Sequence, residues 1–301
     1  MDIKIIEVGN AHLLKDFIRF PYQLYKGHKF YIPQLRKDIK DTLNKEKNPA
    51  FDHCEARYWL AYRGNKVVGR ITGIINYAYI EKWGNKYMRF GWVDFENDEQ
   101  VAKRLLEQVE TWAKEKGLVA VHGPLGFTNF DNAGMLIDGF DQLGTAATIY
   151  NYPYYSSLMA KAGYAKDVDW VEYKIKLPEV EPEILEKITT IVQRRLDLHI
   201  IRVGSAREIL HYSRDIFSLL NATYSELYGM VPLTEKQIQY YTGKYLSYIR
   251  PGFVSLVGDN TGKLVAFGIT MPSISNALQK AKGRLYPFGF IHILRALKKN
   301  K

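Results

Sequence analysis

Two carboxylates, Asp94 and Glu96, stand at the end of an apolar run over 87–95 that reads as a buried strand. A carboxylate held at a strand end can take a proton as a general base. The competing reading makes them acids at the N-terminus of the next helix, favoured by its dipole, with Asp98 and Glu99 beside them. Two adjacent phenols, Tyr154 and Tyr155, can give a proton to a leaving group, or their rings can pack as ordinary core. Asn151 can fix a substrate amide or cap the helix that follows. The segment 123–141 is long, polar and rich in turn residues, a composition often found in functional loops. Its Asn129, Asp131, Asn132 and Asp138 can line a pocket or satisfy their own backbone in Asx turns. The 7 His show no metal-ligand spacing. Cys54 follows His53, and neighbours on a strand point to opposite faces, so a thiol–imidazole pair is not expected.

Steps that move protons need a scaffold, and the composition permits two domains with separate cores. The chain has 301 residues, 47% of them hydrophobic and 25% charged. The single Cys54 excludes an intramolecular disulfide and fits a reducing compartment. No apolar signal core opens the chain, and no stretch has the length of a membrane span. The expected location is therefore cytoplasmic. Lys and Arg total 42 against 32 Asp and Glu, a net charge of +10 that invites an anionic partner. The basic residues are scattered, which also fits a solvated surface. Nucleic acid is not an expected partner: no zinc-finger spacing, RRM core motif or heptad basic region is present. The segment 288–301 mixes apolar residues with Arg295, Lys298, Lys299 and Lys301. It can lie peripherally on an anionic membrane, at the inner face, or present its apolar side to further polypeptide.

The periodicities place strands at 3–8, 57–63, 66–76, 87–95, 118–122 and 169–177, and helices at 10–18, 35–43, 98–116 and 154–162. Gly64-Asn65 joins the second and third strands as a hairpin. A linker near 178–182 enters a helix over 184–192. A strand at 200–203, helices over 206–228 and 235–248, and a hairpin of 253–257 with 263–271 follow. A polar helix near 276–282 precedes the basic segment. This order repeats that of the first half. Val8-Gly9-Asn10 returns as Val203-Gly204-Ser205, and Leu24-Tyr25-Lys26-Gly27 as Leu227-Tyr228-Gly229. Similar elements in one order, offset by 195 to 203 residues, point to two copies of one domain. The expected division is a first copy at 1–177, a linker and connecting helix at 178–197, and a partial second copy at 198–301. A full second copy would need about 70 further residues.

This element order resembles the GCN5-related N-acetyltransferase (GNAT) fold. Asn151-Tyr152-Pro153-Tyr154-Tyr155, Leu158, Lys161 and Ala162-Gly163-Tyr164 resemble the superfamily's late helix and the Gly-aromatic step after it. Over nearly all of its length the chain is similar to bacterial tandem-GNAT proteins. The likeness is carried by Phe20-Pro21-Tyr22-Gln23-Leu24-Tyr25, Tyr31-Ile32-Pro33-Gln34-Leu35, Lys47-Asn48-Pro49-Ala50-Phe51, Gly123-Pro124 and the stretch from Gly134-Met135 to Phe140-Asp141. It implies an α/β (α+β) fold, a mixed sheet flanked by helices in two tandem copies, the second truncated. It also implies an acyl-CoA-dependent N-acyltransferase. Acetyl-CoA or acyl-CoA would be co-substrate, with no tightly bound cofactor, and a small-molecule amine the acceptor. Some members of this group acylate long-chain amines, as in bacterial ceramide synthesis. A non-catalytic GNAT-like module for an acidic ligand or a membrane surface is the alternative.

In that frame Asp94 or Glu96 would take the proton of the attacking ammonium, and Tyr154 or Tyr155 would protonate the departing thiolate. Asn129, Asn132, Asp138 and Asn151 would bind substrate. One feature departs from the family. GNAT enzymes hold the CoA diphosphate on a Gly-containing turn whose amides face the phosphates. Here that turn reads Glu96-Asn97-Asp98-Glu99-Gln100-Val101-Ala102. It has no glycine and three carboxylates, so the first copy is expected to bind CoA poorly, if it binds it there at all.

Overall fold

The computed structural model describes residues 2–180, 182–246 and 249–299. The chain divides into two compact units, Met1–Asp169 with Pro272–Lys301, and Trp170–Met271.

Unit 1 is a five-stranded mixed sheet in chain order. Its strands are β1 (Ile3–Glu7), β2 (Cys54–Arg63), β3 (Lys66–Asn76), β4 (Tyr87–Phe95) and β5 (Ala120–His122). The first three pairings are antiparallel, and β4 with β5 is parallel. Helices α1 (Ala11–Leu24) and α2 (Arg36–Thr42) fall between β1 and β2, and α3 (Tyr77–Trp83) follows β3. A parallel pair needs a crossover, and α4 (Glu99–Glu115) supplies it. After β5 comes a long irregular stretch and then α5 (Tyr154–Lys161).

The helices form because their ends are satisfied and one face is apolar. Asn10 accepts from the Leu13 amide at the start of α1. In α4, Val101, Leu105, Val109 and Trp112 recur at helical spacing and are all buried. They cover one sheet face together with Val68, Ile71 and Phe95. On the other face, Phe17 and Ile18 of α1 and Ile39 of α2 pack with Leu60, Ile74 and Phe127. β3 is central and buried almost throughout, as its near-continuous apolar run requires. α4 approaches it closely at Gly69, where an added Cβ would lie 2.7 Å from Leu105 Cδ1.

Unit 2 begins with α6 (Glu183–Leu196) and has a three-stranded antiparallel sheet. Its strands are β6 (His199–Ile201), β7 (Val254–Gly258) and β8 (Leu264–Ile269), in chain order. Between β6 and β7 lie α7 (Ala206–His211), α8 (Ser213–Thr223) and α9 (Glu235–Lys244). Ile216, Leu256 and Leu264 form its small buried cluster. Thr234 and Gln237 close a reciprocal capping box on α9. Strand, helices, hairpin thus recur in the order seen at β1 to β3. The single helix expected over 206–228 is instead two, broken at Tyr212.

Two expectations are corrected, and one element was not expected. The apolar alternation over 169–177 forms no strand, and Val171, Tyr173, Ile175 and Leu177 are exposed. A strand needs an edge to pair with, and no described strand offers it a ladder. The short α3 has no counterpart in the sequence reading. Finally, residues 272–301 group with unit 1 rather than with 198–271. Helix α10 (Ser275–Ala281) is held there by long-range bonds: Ser275 Oγ donates to the Gly144 carbonyl at 2.9 Å. Gln279 Nε2 donates to the carbonyls of Lys29 and Tyr31 at 2.8 and 3.0 Å. The last helix is α11 (Gly289–Lys299). Among the described residues no helix is long and apolar enough to cross a membrane.

One contact aligns β4 with the segment after β5. A Cβ at Gly91 would lie 2.3 Å from the Leu125 carbonyl oxygen, which is backbone and cannot swing away. Gly91→Ala is expected to destabilise unit 1 by about 1–3 kcal/mol. Gly9→Ala, where nothing lies within 4 Å, should be near neutral. Urea unfolding of the two variants tests this, and equal midpoints would contradict the close approach.

Candidate active site

The site begins with an irregularity in β4. Arg70 pairs with Asp94 and Thr72 with Gly91, so Ile71 alone faces both Trp92 and Val93. This is a β-bulge, and Trp92 carries it at φ 42, a left-handed conformation uncommon for a bulky residue. The extra residue breaks the side-chain alternation of β4, and Val93, Asp94 and Phe95 are all buried.

Asp94 is therefore a buried carboxylate with three close donors. Arg70 Nε and a terminal nitrogen both lie 2.7 Å from Oδ2. Tyr25 Oη donates to Oδ1 at 3.0 Å. Arg70 spends another N–H on the Phe17 carbonyl at 2.9 Å, and its guanidinium lies over the Phe17 ring. The Tyr25 and Tyr155 hydroxyls are 2.8 Å apart. The Phe95 amide donates to Tyr155 Oη at 3.1 Å, which leaves the Tyr155 proton directed at Tyr25. A hydrogen-bonded chain thus runs from the β4 backbone through two phenols to the carboxylate. Both phenols have pKa values well above the ordinary 10, through burial first and the Asp94 charge second. They remain protonated donors across the physiological range.

A cavity of about 110 Å³ opens on this network. Arg70, Trp92, Asp94, Asn132, Tyr150 and Tyr155 are among its walls. Aromatic rings crowd one side. Tyr25 stacks on Tyr31 at 4.5 Å, and meets Tyr152 at 5.0 Å and Tyr150 edge-on at 5.9 Å. Tyr150 Oη lies 3.0 Å from His28 Nε2, and burial lowers the His28 pKa. The volume suits the reacting end of a substrate rather than its body.

The structure distributes the expected site residues unevenly. Asp94, Asn132, Asn151 and Tyr155 line the cavity. Glu96 does not: β4 ends at Phe95, and Glu96 turns outward to an ion pair with Lys66 at 2.6 Å. Tyr154 donates to the Phe95 carbonyl at 2.7 Å and packs against Tyr152. Burial raises its pKa. Asn151 neither caps α5, whose cap is Pro153, nor keeps its amide free. Its Oδ1 accepts from the Leu136 amide at 2.7 Å and its Nδ2 donates to the Leu136 carbonyl at 3.1 Å, tying the long loop to α5. Asp131 accepts from the Thr128 amide and Asp138 from the Gly139 amide, both local turns. Asn129 is not among the lining residues. Cys54 is buried, which pushes its thiol up to about 12. Sequence reasoning gave no role to Arg70, Tyr25, Tyr31, Trp92 or Tyr150. Arg70 had a signal, a lone charge inside the apolar run of β3.

The N-terminus of α4 is the other site to examine. Asp98 accepts from the amides of Gln100 and Val101 at 2.9 and 3.2 Å. It also pairs with Arg63, the leading cause of its lowered pKa. The amides that would face a diphosphate are therefore engaged by the chain's own carboxylate, and a CoA diphosphate does not fit this turn.

The strand order, with an antiparallel meander closing on a parallel β4–β5 pair, is the mixed α/β arrangement expected of a GNAT-like fold. No model of a known protein family matches the chain. It is 29% identical over 290 residues to protein YghO of Escherichia coli K12, covering 96% of this chain and 73% of that one. It is 27% identical over 307 aligned positions to the bacterial ceramide synthase of Caulobacter vibrioides, covering 99% of this chain and 77% of that one. A solved tandem GNAT protein from the clavulanic acid biosynthesis pathway covers 88% of this chain and 73% of its own at 10% identity, with a TM-score of 0.47. An aminoglycoside acetyltransferase from an uncultured soil sample covers 58% and 97% at 15% identity, with a TM-score of 0.35.

The Asp98 cap has a measurable signature. Asp98→Ala is expected to cost about 0.5–2 kcal/mol at neutral pH. The carboxyl is held below its ordinary 3.8, so its contribution is present above that value and lost as pH falls through the lower folded one. Urea unfolding of both proteins should show the gap closing as pH drops below 4 (about the unfolded carboxylate value). A gap that persists unchanged in acid would contradict this role.

Proposed function

We propose that this protein is an acyl-CoA-dependent N-acyltransferase and that the cavity at Asp94 receives the amine. The observation that supports this most is the buried carboxylate at the end of β4, opening on a cavity with tyrosine walls. An ammonium meets the faces of the aromatic rings there, and the Oδ1 side of a carboxylate whose Oδ2 is paired with Arg70. Asp94, directly or through one water, takes the proton that the nucleophilic nitrogen must lose. The nitrogen then bonds to the thioester carbonyl carbon, the C–S bond breaks, and CoA leaves as a thiolate that takes up a proton.

Tyr25 and Tyr155 act in this reading through Asp94, as positioning residues. Tyr155 is not assigned the proton-donor role, because its hydroxyl accepts from the Phe95 amide and its proton is directed at Tyr25. The small volume favours a primary amine at the end of a longer body, and a long-chain amine is the acceptor we propose. The likeness to the Caulobacter ceramide synthase supports the same choice. The acyl donor is assigned to a part of the protein other than the α4 turn. The occupied α4 amides also favour a second reading, a GNAT-like module that binds an amine without acylating it.

Incubating the protein with palmitoyl-CoA or acetyl-CoA and sphinganine, with an aminoglycoside as a contrasting amine, separates the readings by mass spectrometry. The expected result is amide product from the long-chain amine. Asp94→Asn should lower turnover by about 10²–10⁴-fold, and Tyr25→Phe by less. Circular dichroism verifies the fold, since Arg70 loses its counter-charge in the first variant. Sphinganine binding without any amide product would favour the binding module. Full activity in Asp94→Asn would remove the proposed base.

A further inference from the structure

A second cavity of unit 1 shares no lining residue with the one at Asp94 and is one-sided in charge. Its volume is about 410 Å³. Arg36 at the start of α2, Lys280 and Lys282 at the end of α10, Arg284 beyond it and His292 of α11 line it, and no carboxylate does. Lysines are favoured at a helix C-terminus by the dipole, which explains Lys280 and Lys282. It does not explain the two arginines. Arg36 is the informative one. Its guanidinium lies over the Tyr22 ring at 4.4 Å, and its Nε is buried without a hydrogen-bond partner among the described residues. Burial and the Arg284 charge both lower its pKa. None of Arg36, Lys280, Lys282 or Arg284 has an ion pair among the described residues. Cations gathered around one cavity repel one another, and an anion entering it relieves that repulsion.

The rim of this cavity is apolar. Tyr286 and Phe288 are 78% and 69% exposed, and Leu294 of α11 is 50% exposed. Tyr286 and Phe290 rings lie 5.9 Å apart. On α11, residues 290 and 294 lie one helical turn apart, and the same line continues to the exposed Lys298, with Arg295 beside it; Tyr286 stands in the turn before the helix. An apolar stripe flanked by cations beside a cationic cavity matches the two layers of a phospholipid surface, acyl boundary and headgroup. Further polypeptide lying on α11 would cover the stripe but leave the cationic cavity without its counter-charge.

We propose that this face docks unit 1 on an anionic phospholipid surface. A headgroup phosphate enters the cavity against Arg36, Arg284 and Lys280, and Tyr286, Phe288, Phe290 and Leu294 sit at the acyl boundary. The site does not depend on the acyl-transfer reading and is tested without an enzymatic assay.

The test is co-sedimentation of the full chain with vesicles of phosphatidylcholine alone or mixed with phosphatidylglycerol. Tighter binding to the phosphatidylglycerol vesicles is expected, by about 10-fold or more at moderate salt. The double variant Lys280→Ala, Arg284→Ala should lose about 10- to 30-fold of that binding, since each cation at the surface contributes about five-fold. Lys103→Ala with Lys114→Ala removes equal charge from the exposed side of α4 and should change little. Phe288→Ser should weaken binding with the cationic residues intact. Thermal melting verifies that each variant folds, and Arg284→Ala alone serves if the double variant does not. Equal losses in the two charge-matched pairs would reduce the effect to net charge and overturn the site. Binding of inorganic phosphate, read as a thermal shift abolished by Arg284→Ala, with no vesicle selectivity would assign the cavity to a free phosphate and overturn the membrane proposal. Absence of vesicle binding would do the same.

Discussion

The ion pair between Arg70 and Asp94 is the interaction from which unit 1 is organised. Removing two charges from water costs several kcal/mol per ion, and attraction alone rarely offsets it. The remaining hydrogen-bonding capacity must be used, and here each filling group comes from a different element. The Phe17 carbonyl and the Tyr25 hydroxyl come from α1 and its C-terminal cap, and Tyr155 from α5. The charges themselves sit on β3 and β4. A carboxylate that needs all these partners cannot be buried until the elements have met. Losing either charge would strand the other, at a cost of about 3–5 kcal/mol. The pair therefore specifies how α1 and α5 dock on the sheet, over and above any chemistry it performs.

The bulge at Trp92 makes that arrangement possible. In a regular strand Asp94 and Trp92 would share a face with Phe90, which belongs to the α4-side core. The inserted residue changes the register, so Asp94 meets Arg70 and Tyr25 while Phe95 stays in the α4-side core. Trp92 packs instead with Phe127 of the long loop, at 5.6 Å between rings. The strained backbone at one residue is thus set against a buried ion pair and an aromatic contact.

Much of this was legible where it was local. The apolar stripe of α4, the hairpin at Gly64-Asn65 and the cap at Asn10 follow from periodicity and turn chemistry, and the structure has all three. Asp94 stood out as an acid at a strand end. Its partners could not be read because they are distant: Tyr25 is 69 residues away and Arg70 is 24. The residues over 169–177 mislead for the opposite reason, since alternation describes a strand only when a neighbour is there to pair with. The attachment of α10 to unit 1 rests on side chains bonding to carbonyls some 250 residues earlier, and nothing in a local window reports such a bond.

The cap on α4 separates two properties that a helix N-terminus usually offers together. The dipole and the first amides remain, but a single side chain satisfies them and Arg63 holds that side chain in place. Closure of this kind leaves the backbone almost as an open site would have it. One codon stands between the shut turn and a vacant one, whereas a site lost by remodelling the loop would need many. The first unit can therefore lose or regain free amides at this turn while the sheet, the bulge and the buried pair stay in place, with Glu96 and Glu99 opposing an anion in either state.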